Sequence, residues 1–134
     1  MTLDDLQAML PAYFAPWVQD LDLQVVAADA DSVTVRMPNT DKLARVGGML
    51  CGQAMMAAAD TAMVLALVSQ FGEFKPCTTV QLNTSFLKPL SNQDALVEAR
   101  VLRAGKSLAF GEIDIRGAQD GKSACRASTT YALL

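Results

Sequence analysis

The chain has 134 residues, 51% of them hydrophobic and 19% charged, a composition that indicates one folded domain over residues 1–134 and excludes a disordered tail or low-complexity linker. Its formal net charge of -3 makes it a poor candidate for nonspecific nucleic-acid binding. The absence of histidine excludes Ser-His-Asp and Cys-His catalysis, histidine-ligated metal sites and histidine-dependent hydratases.

The three cysteines, Cys51, Cys77 and Cys125, show no CxxC spacing. We interpret them as reduced thiols and expect a cytoplasmic protein without a disulfide framework or a metal site. Asp4 and Asp5 stand where a secretory signal would carry a basic region, so no such signal is predicted.

Residues 1–19 predict an N-terminal helical segment, in which a short helix over Leu3–Leu10 ends at Pro11. Two strands follow, with the second showing clean alternation of apolar and polar residues. A polar turn joins them as a hairpin, and a loop leads on to the next helix. These predicted elements are the strands Leu23–Ala28 and Val33–Met37, the turn 29–32 and the loop 38–48.

Residues 50–71 predict the one long helix, with Gly52–Phe71 as its regular part. Apolar residues occur on nearly every side, so we expect this helix to be buried all round. A charge such as Asp60 at the centre of a bilayer would cost about 3 kcal/mol, so a core helix is favoured over a membrane span.

The rest of the chain predicts four strands, the last three forming an antiparallel meander. They cover Thr78–Leu87, Ala95–Leu102, Leu108–Arg116 and Ala124–Leu133. The chain thus has one apolar helix and five or six strands with a single apolar face. The simplest way to bury these surfaces together is an α+β fold in which a curled antiparallel sheet wraps around the central helix.

Two features of the long helix point to chemistry. Gly52 opens the helix, where backbone N–H groups without helical partners can hold a developing oxyanion. Asp60 is a lone carboxylate in an apolar helix and could act as a general base or a nucleophile. Plain turn chemistry is the alternative for the glycine, and a polar pocket or a break in the helix is the alternative for Asp60.

The spacing of these residues predicts an oligomer. Eight helical residues span about 12 Å, so Gly52 and Asp60 of one chain cannot reach the same carbonyl group. Two antiparallel helices related by a two-fold axis would bring Gly52 of one chain near Asp60 of the other. If both act in one site, the protein is at least a homodimer with two equivalent sites.

Over residues 20–133 the sequence resembles the hotdog-fold acyl-CoA thioesterases of the phenylacetate-degradation (PaaI-like) type. Three segments carry the resemblance: Gly52 with Asp60-Thr61-Ala62, the Thr-rich strand 78–89 ending in Phe-Leu-Lys-Pro, and Arg-Ala-Gly-Lys at 103–106. It implies hydrolysis of a small, medium-chain or aromatic acyl-CoA, with no metal and no cofactor beyond the coenzyme A of the substrate. It also implies a homodimer or dimer of dimers, without nucleic-acid or membrane partners.

The resemblance assigns roles by position. Asp60 matches the catalytic carboxylate, and Gly52 of the neighbouring subunit matches the donor to the thioester oxygen. Thr78 falls where a hydroxyl orients the water or the carboxylate. Lys88, Arg103 and Lys106 are candidates to bind the phosphates of coenzyme A, with ordinary surface charge as their alternative.

Three residues depart from the family pattern. Cys51 stands in place of a histidine. It could be an activated thiolate, or it could be only a small buried side chain. Gln53 replaces a second glycine, and Arg45 replaces a neutral amide. Arg45 could act on the Asp60 carboxylate, bind a carboxylate of the substrate or face solvent. These departures leave a non-catalytic acyl-CoA-binding protein of the same fold as the alternative function.

Overall fold

The computed structural model describes residues 1–134. Two helices, one 3₁₀ helix and eight strands follow along the chain. They are α1 (Leu3–Tyr13), the 3₁₀ helix (Pro16–Leu21), β1 (Gln24–Ala28), β2 (Ser32–Met37), β3 (Ala44–Arg45), β4 (Met49–Leu50), α2 (Gly52–Phe71), β5 (Cys77–Phe86), β6 (Ala95–Ala104), β7 (Leu108–Gly117) and β8 (Ser123–Leu133).

Six strands form one antiparallel sheet in the order β1-β2-β6-β7-β8-β5, and α2 packs against its concave face. The predicted β1–β2 hairpin and the β6–β7–β8 meander are confirmed. The α+β architecture, a curled antiparallel sheet around one long helix, is therefore confirmed as well. β5 follows α2 in the chain but lies at the far edge of the sheet, paired only with β8.

Two local predictions need correction. The first helix does not stop before Pro11 but continues to Tyr13, because a capping box between Thr2 and Asp5 and the burial of Leu6 and Leu10 stabilise it. The loop over 38–48 contains β3, which pairs with β4 in a separate two-stranded hairpin.

The ends of α2 follow helix-terminus chemistry. The Cys51 side chain caps its start, where Sγ accepts the backbone N–H of Ala54 at 3.4 Å. Gly72 ends the helix in the left-handed region at φ 76°, a conformation that favours glycine. Between these ends, small side chains let the sheet approach closely, and any side chain at Gly111 of β7 would overlap Met63.

The prediction that α2 is buried on every side is wrong along one stripe. Most of the helix is buried, but one side is covered only in part by the chain's own sheet and N-terminal segment. We call this side the α2 stripe; its members are Gln53, Met56, Ala57, Asp60 and Val64. By length and composition α2 could also span a bilayer, yet 67% of its apolar window is buried inside this fold.

The free edge of β5 is the second incompletely covered surface. Val80 is 59% exposed and Phe86 is 48% exposed, although both are large apolar residues. An edge strand also leaves a row of backbone hydrogen-bonding groups unpaired. The α2 stripe and the β5 edge are therefore surfaces that the chain does not cover by itself.

Candidate active site

Asp60 lies midway along α2 and is held by two hydroxyl groups. Its Oδ1 accepts a hydrogen bond from Thr79 Oγ1 at 2.9 Å and a short one from the Tyr131 hydroxyl. Thr79 and Tyr131 are direct cross-strand partners on β5 and β8, so the sheet sets both donors side by side. Both donors use Oδ1, which leaves Oδ2 as the oxygen free to meet water or a substrate.

Tyr131 is built to remain a donor. Only 2% of its surface is exposed, and its hydroxyl also lies 2.9 Å from the backbone carbonyl oxygen of Asp60. Burial, followed by the hydrogen bond to the Asp60 carboxylate, raises the pKa of Tyr131 far above its usual value. The phenol therefore keeps its proton and fixes the orientation of the carboxylate.

The Asp60 carboxylate opens onto a cavity of about 250 Å³, which we call the Asp60 cavity. Four parts of the chain form its walls: the N-terminal segment, α2, the start of β5 and Tyr131 of β8. The N-terminal wall consists of Phe14, Trp17 and Val18, and the β5 wall of Cys77, Thr78 and Thr79. Burial, and then the negative charge of Asp60, raise the pKa of the Cys77 thiol, so this cysteine stays protonated.

Gly52 opens onto a different space. A groove of about 460 Å³, the Gly52 groove, has Gly52, Arg45, Phe86 and Lys88 in its walls and shares no wall residue with the Asp60 cavity. An added Cβ at Gly52 would come within 3.3 Å of the Phe86 ring, so the helix start lies directly against the end of β5. One chain therefore keeps its Gly52 amide and its Asp60 carboxylate apart, as the helix-length argument requires.

Cys51 and Gln53 line a third cavity, of about 430 Å³, which we call the Gln53 cavity. The Cys51 sulfur serves as the cap of α2, and Gln53 is exposed on the α2 stripe. Trp17 is the one residue that lines both this cavity and the Asp60 cavity.

The predicted phosphate-binding residues are divided within one chain. Lys88 lies beyond the end of β5, where its Nζ is 3.4 Å from Asp120 Oδ2. Arg103 and Lys106 belong to the β6–β7 hairpin, which the strand register places at the same end of the sheet as the start of β5. Within one chain the three candidate phosphate-binding residues therefore lie at two different ends of the sheet.

The site contains two residues that the sequence did not single out. Thr79, not its neighbour Thr78, donates to the carboxylate, while Thr78 lines the cavity wall. Tyr131 lies on the buried face of β8. The alternation of apolar and polar residues in β8 predicts that Tyr131 is buried, but it does not predict that the hydroxyl contacts Asp60.

Comparison with known proteins identifies the family of this chain. A family model described as the thioesterase superfamily matches residues 47–124. A protein of Saccharolobus solfataricus, named as an esterase, is 29% identical over 114 residues, which are 85% of this chain and 80% of that protein. A second, from Thermoplasma acidophilum and also named as an esterase, is 25% identical over 97 residues, 72% of this chain and 73% of that protein.

Solved structures show the same fold. A structure from Silicibacter sp. TM1040, described as a thioesterase, superposes with a TM-score of 0.89 at 25% identity and covers 100% of this chain and 92% of its own. A thioesterase of Haemophilus influenzae gives a TM-score of 0.87 at 23% identity and covers 100% of this chain and 91% of its own. The predicted hotdog fold is thereby confirmed, and the chain belongs to the thioesterase superfamily, as a hydrolase of that family.

Proposed function

We propose that this protein is an acyl-CoA thioesterase of the PaaI-like type, cleaving a small, medium-chain or aromatic acyl-CoA in the cytoplasm. The observation that carries the proposal is the Asp60 carboxylate, fixed at Oδ1 by Thr79 and Tyr131 on the wall of a cavity. Such a carboxylate has one constrained oxygen and one free oxygen, as a base acting on a positioned water requires. The only cofactor involved is the coenzyme A of the substrate itself.

The reaction follows from the two groups. Oδ2 of Asp60 accepts a proton as water adds to the thioester carbon, and the backbone N–H of Gly52 of the partner subunit stabilises the oxyanion. The tetrahedral intermediate then expels the coenzyme A sulfur, which takes the proton from Asp60 and leaves as the thiol. Direct attack by Asp60 is the other route: the carboxylate adds to the thioester carbon, the carbon–sulfur bond breaks and coenzyme A leaves as the thiolate. Water then hydrolyses the resulting acyl anhydride to the free acid and the Asp60 carboxylate.

A homodimer formed through β5 would let Asp60 of one subunit and Gly52 of the other act in the same site. Asp60 contacts Thr79 near the start of β5, whereas Gly52 lies against Phe86 at its end. Antiparallel pairing of two β5 strands, about an axis between Leu82 and Asn83, would set Thr79 opposite Phe86 of the partner subunit. Asp60 of one subunit would then face Gly52 of the other, and the exposed apolar residues of the β5 edge would be covered.

The same pairing supports a role for the divided basic residues. Because the strands run antiparallel, Lys88 of the partner subunit would come to the end of the sheet that carries Arg103 and Lys106. Three cations from two chains would then surround the phosphates of coenzyme A. Arg45 lines the Gly52 groove and so would stand beside the oxyanion end of the partner's site, rather than beside its own Asp60.

The test is thiol release from a panel of short, medium and aromatic acyl-CoAs, with wild type beside Asp60→Asn. We expect wild type to cleave at least one ester, and Asp60→Asn to lower kcat by about 10²–10⁴-fold, the usual contribution of a general base. Asp41→Asn, an exposed aspartate outside the cavities, is the matched control and should be unchanged. Binding of acyl-CoA without release of thiol would instead support the non-catalytic alternative.

A further inference from the structure

Trp17 stands between two cavities. It belongs to the 3₁₀ helix, is the only tryptophan in the chain, and lines both the Asp60 cavity and the Gln53 cavity. Its side chain remains 59% exposed, so burial in a core does not explain its size.

The two cavities follow one another along α2. Gln53 and Ala54 line the Gln53 cavity, and Ala57, Asp60 and Val64 line the Asp60 cavity. Residues 53 and 57 are one helical turn apart, so the two spaces are neighbours on the same side of the helix. Trp17 is therefore the boundary residue that the two cavities share on this side of α2.

The chemistry of the Gln53 cavity suits an acyl chain. Trp17, Leu21, Leu43 and Ala54 make most of its wall apolar. Its one cation is Lys42, whose Nζ already lies 3.7 Å from Asp20 Oδ1. The cations of the β6–β7 hairpin, Arg103 and Lys106, line neither of these two cavities, so phosphate binding and acyl binding would fall to different parts of the chain.

We propose that Trp17 sets the length of the acyl group that this enzyme accepts. The indole closes the end of the Asp60 cavity, so a short chain or a single ring fills the space and a longer chain meets the indole. Removing the indole joins the two cavities and gives a long chain a second apolar compartment. This inference rests on the proposed thioesterase activity.

The experiment measures kcat/KM for saturated acyl-CoAs from butyryl to myristoyl with wild type, Trp17→Ala and Trp17→Phe. In Trp17→Ala the ratio of the long-chain to the short-chain value should rise at least about tenfold, since each additional buried methylene is worth about fourfold. Trp17→Phe should keep a profile close to wild type. Tyr13→Ala removes another exposed aromatic residue of the N-terminal segment that lines neither cavity, so it should leave the profile unchanged.

A second readout uses Trp17 directly. In the Asp60→Asn protein, indole emission should change when acyl-CoA is added and should not respond to free coenzyme A. An unchanged chain-length profile in a folded Trp17→Ala protein, with wild-type hydrolysis intact, would overturn the inference while the proposed function stands. Absence of hydrolysis with every ester in wild type would instead overturn the proposed function.

Discussion

The hydroxyl of Tyr131 contacts Asp60 twice, at the carboxylate oxygen Oδ1 and at the backbone carbonyl oxygen. One buried phenol thus ties the side chain of the proposed base to the backbone of α2. Thr79, its cross-strand neighbour, completes the grip on Oδ1. The carboxylate is fixed before any substrate arrives, and this arrangement avoids the cost of ordering it during the reaction.

Replacing Tyr131 by Phe should lower kcat more than it changes KM. The ring remains to fill the core, but Asp60 loses one of its two donors and its free oxygen is less well aimed, for which we expect about a tenfold to hundredfold loss in kcat. The free energy of unfolding should fall by about 1–3 kcal/mol because polar groups of Asp60 are left unsatisfied. Steady-state kinetics and denaturant unfolding measure the two effects.

Thr79 provides the control for that prediction. Thr79→Val removes the other donor and should also lower kcat, whereas Thr79→Ser retains a hydroxyl and should recover most of the activity. A loss of stability in Tyr131→Phe with kcat unchanged would show that the phenol supports only the fold.

The raised pKa of Tyr131 predicts a loss of stability in strong alkali. The unfolded phenol ionises near its ordinary pKa of about 10, whereas the folded one resists ionisation. The resulting stability is complete below about pH 10 and is lost as the pH rises from there toward the folded pKa. Melting temperatures of wild type should therefore fall above about pH 10 more steeply than those of Tyr131→Phe. Equal slopes in the two proteins would contradict the assignment, and Tyr13→Phe should behave as wild type.

Gly52 allows a clean removal of the proposed oxyanion donor. Gly52 is the first residue of α2, a position where proline fits, and Cys51 before it has the extended backbone that a following proline requires. Gly52→Pro should therefore fold yet lower kcat by about 10²–10³-fold, because it lacks the N–H. Gly52→Ala keeps the N–H and brings its Cβ within 3.3 Å of Phe86, so it controls for the added bulk. Equal losses in both variants would mean that space, and not the N–H, is what matters.

The sequence predicted the helix with Gly52 and Asp60 because both residues break a local pattern within one element. It missed Thr79 because a β-bulge between Thr79 and Gln81 shifts the alternation of β5 and turns Thr79 toward Asp60. Neither a bulge nor the contact from Tyr131, 71 residues away, leaves a local signal in the sequence. The α2 stripe was missed for a related reason. An alanine or a methionine gives the same apolar pattern in the sequence whether its own chain or a second subunit covers it.

Mixed dimers test whether two chains share each site. Asp60→Asn and Gly52→Pro should each be inactive alone. A hybrid dimer of the two, isolated with two affinity tags, has one site with both groups intact and one with neither. It should regain about half of the wild-type activity per dimer. Hybrids as inactive as their parents would place both groups in the same chain and contradict pairing through β5.

Cys77 reports on the charge of Asp60 from inside the same cavity. Burial and then the Asp60 carboxylate raise the pKa of the Cys77 thiol, so Asp60→Asn removes one of the two causes and increases the thiolate fraction. Labelling of Cys77 by a small uncharged alkylating reagent, followed by mass spectrometry, should be faster in Asp60→Asn than in wild type. Cys125 is the internal control, because burial and the charge of Asp114 raise its pKa and neither changes in the variant. If Cys77 reacts at the same rate in both proteins, the residue at position 60 carries no charge that the cavity senses, and its role as an ionised base fails with it.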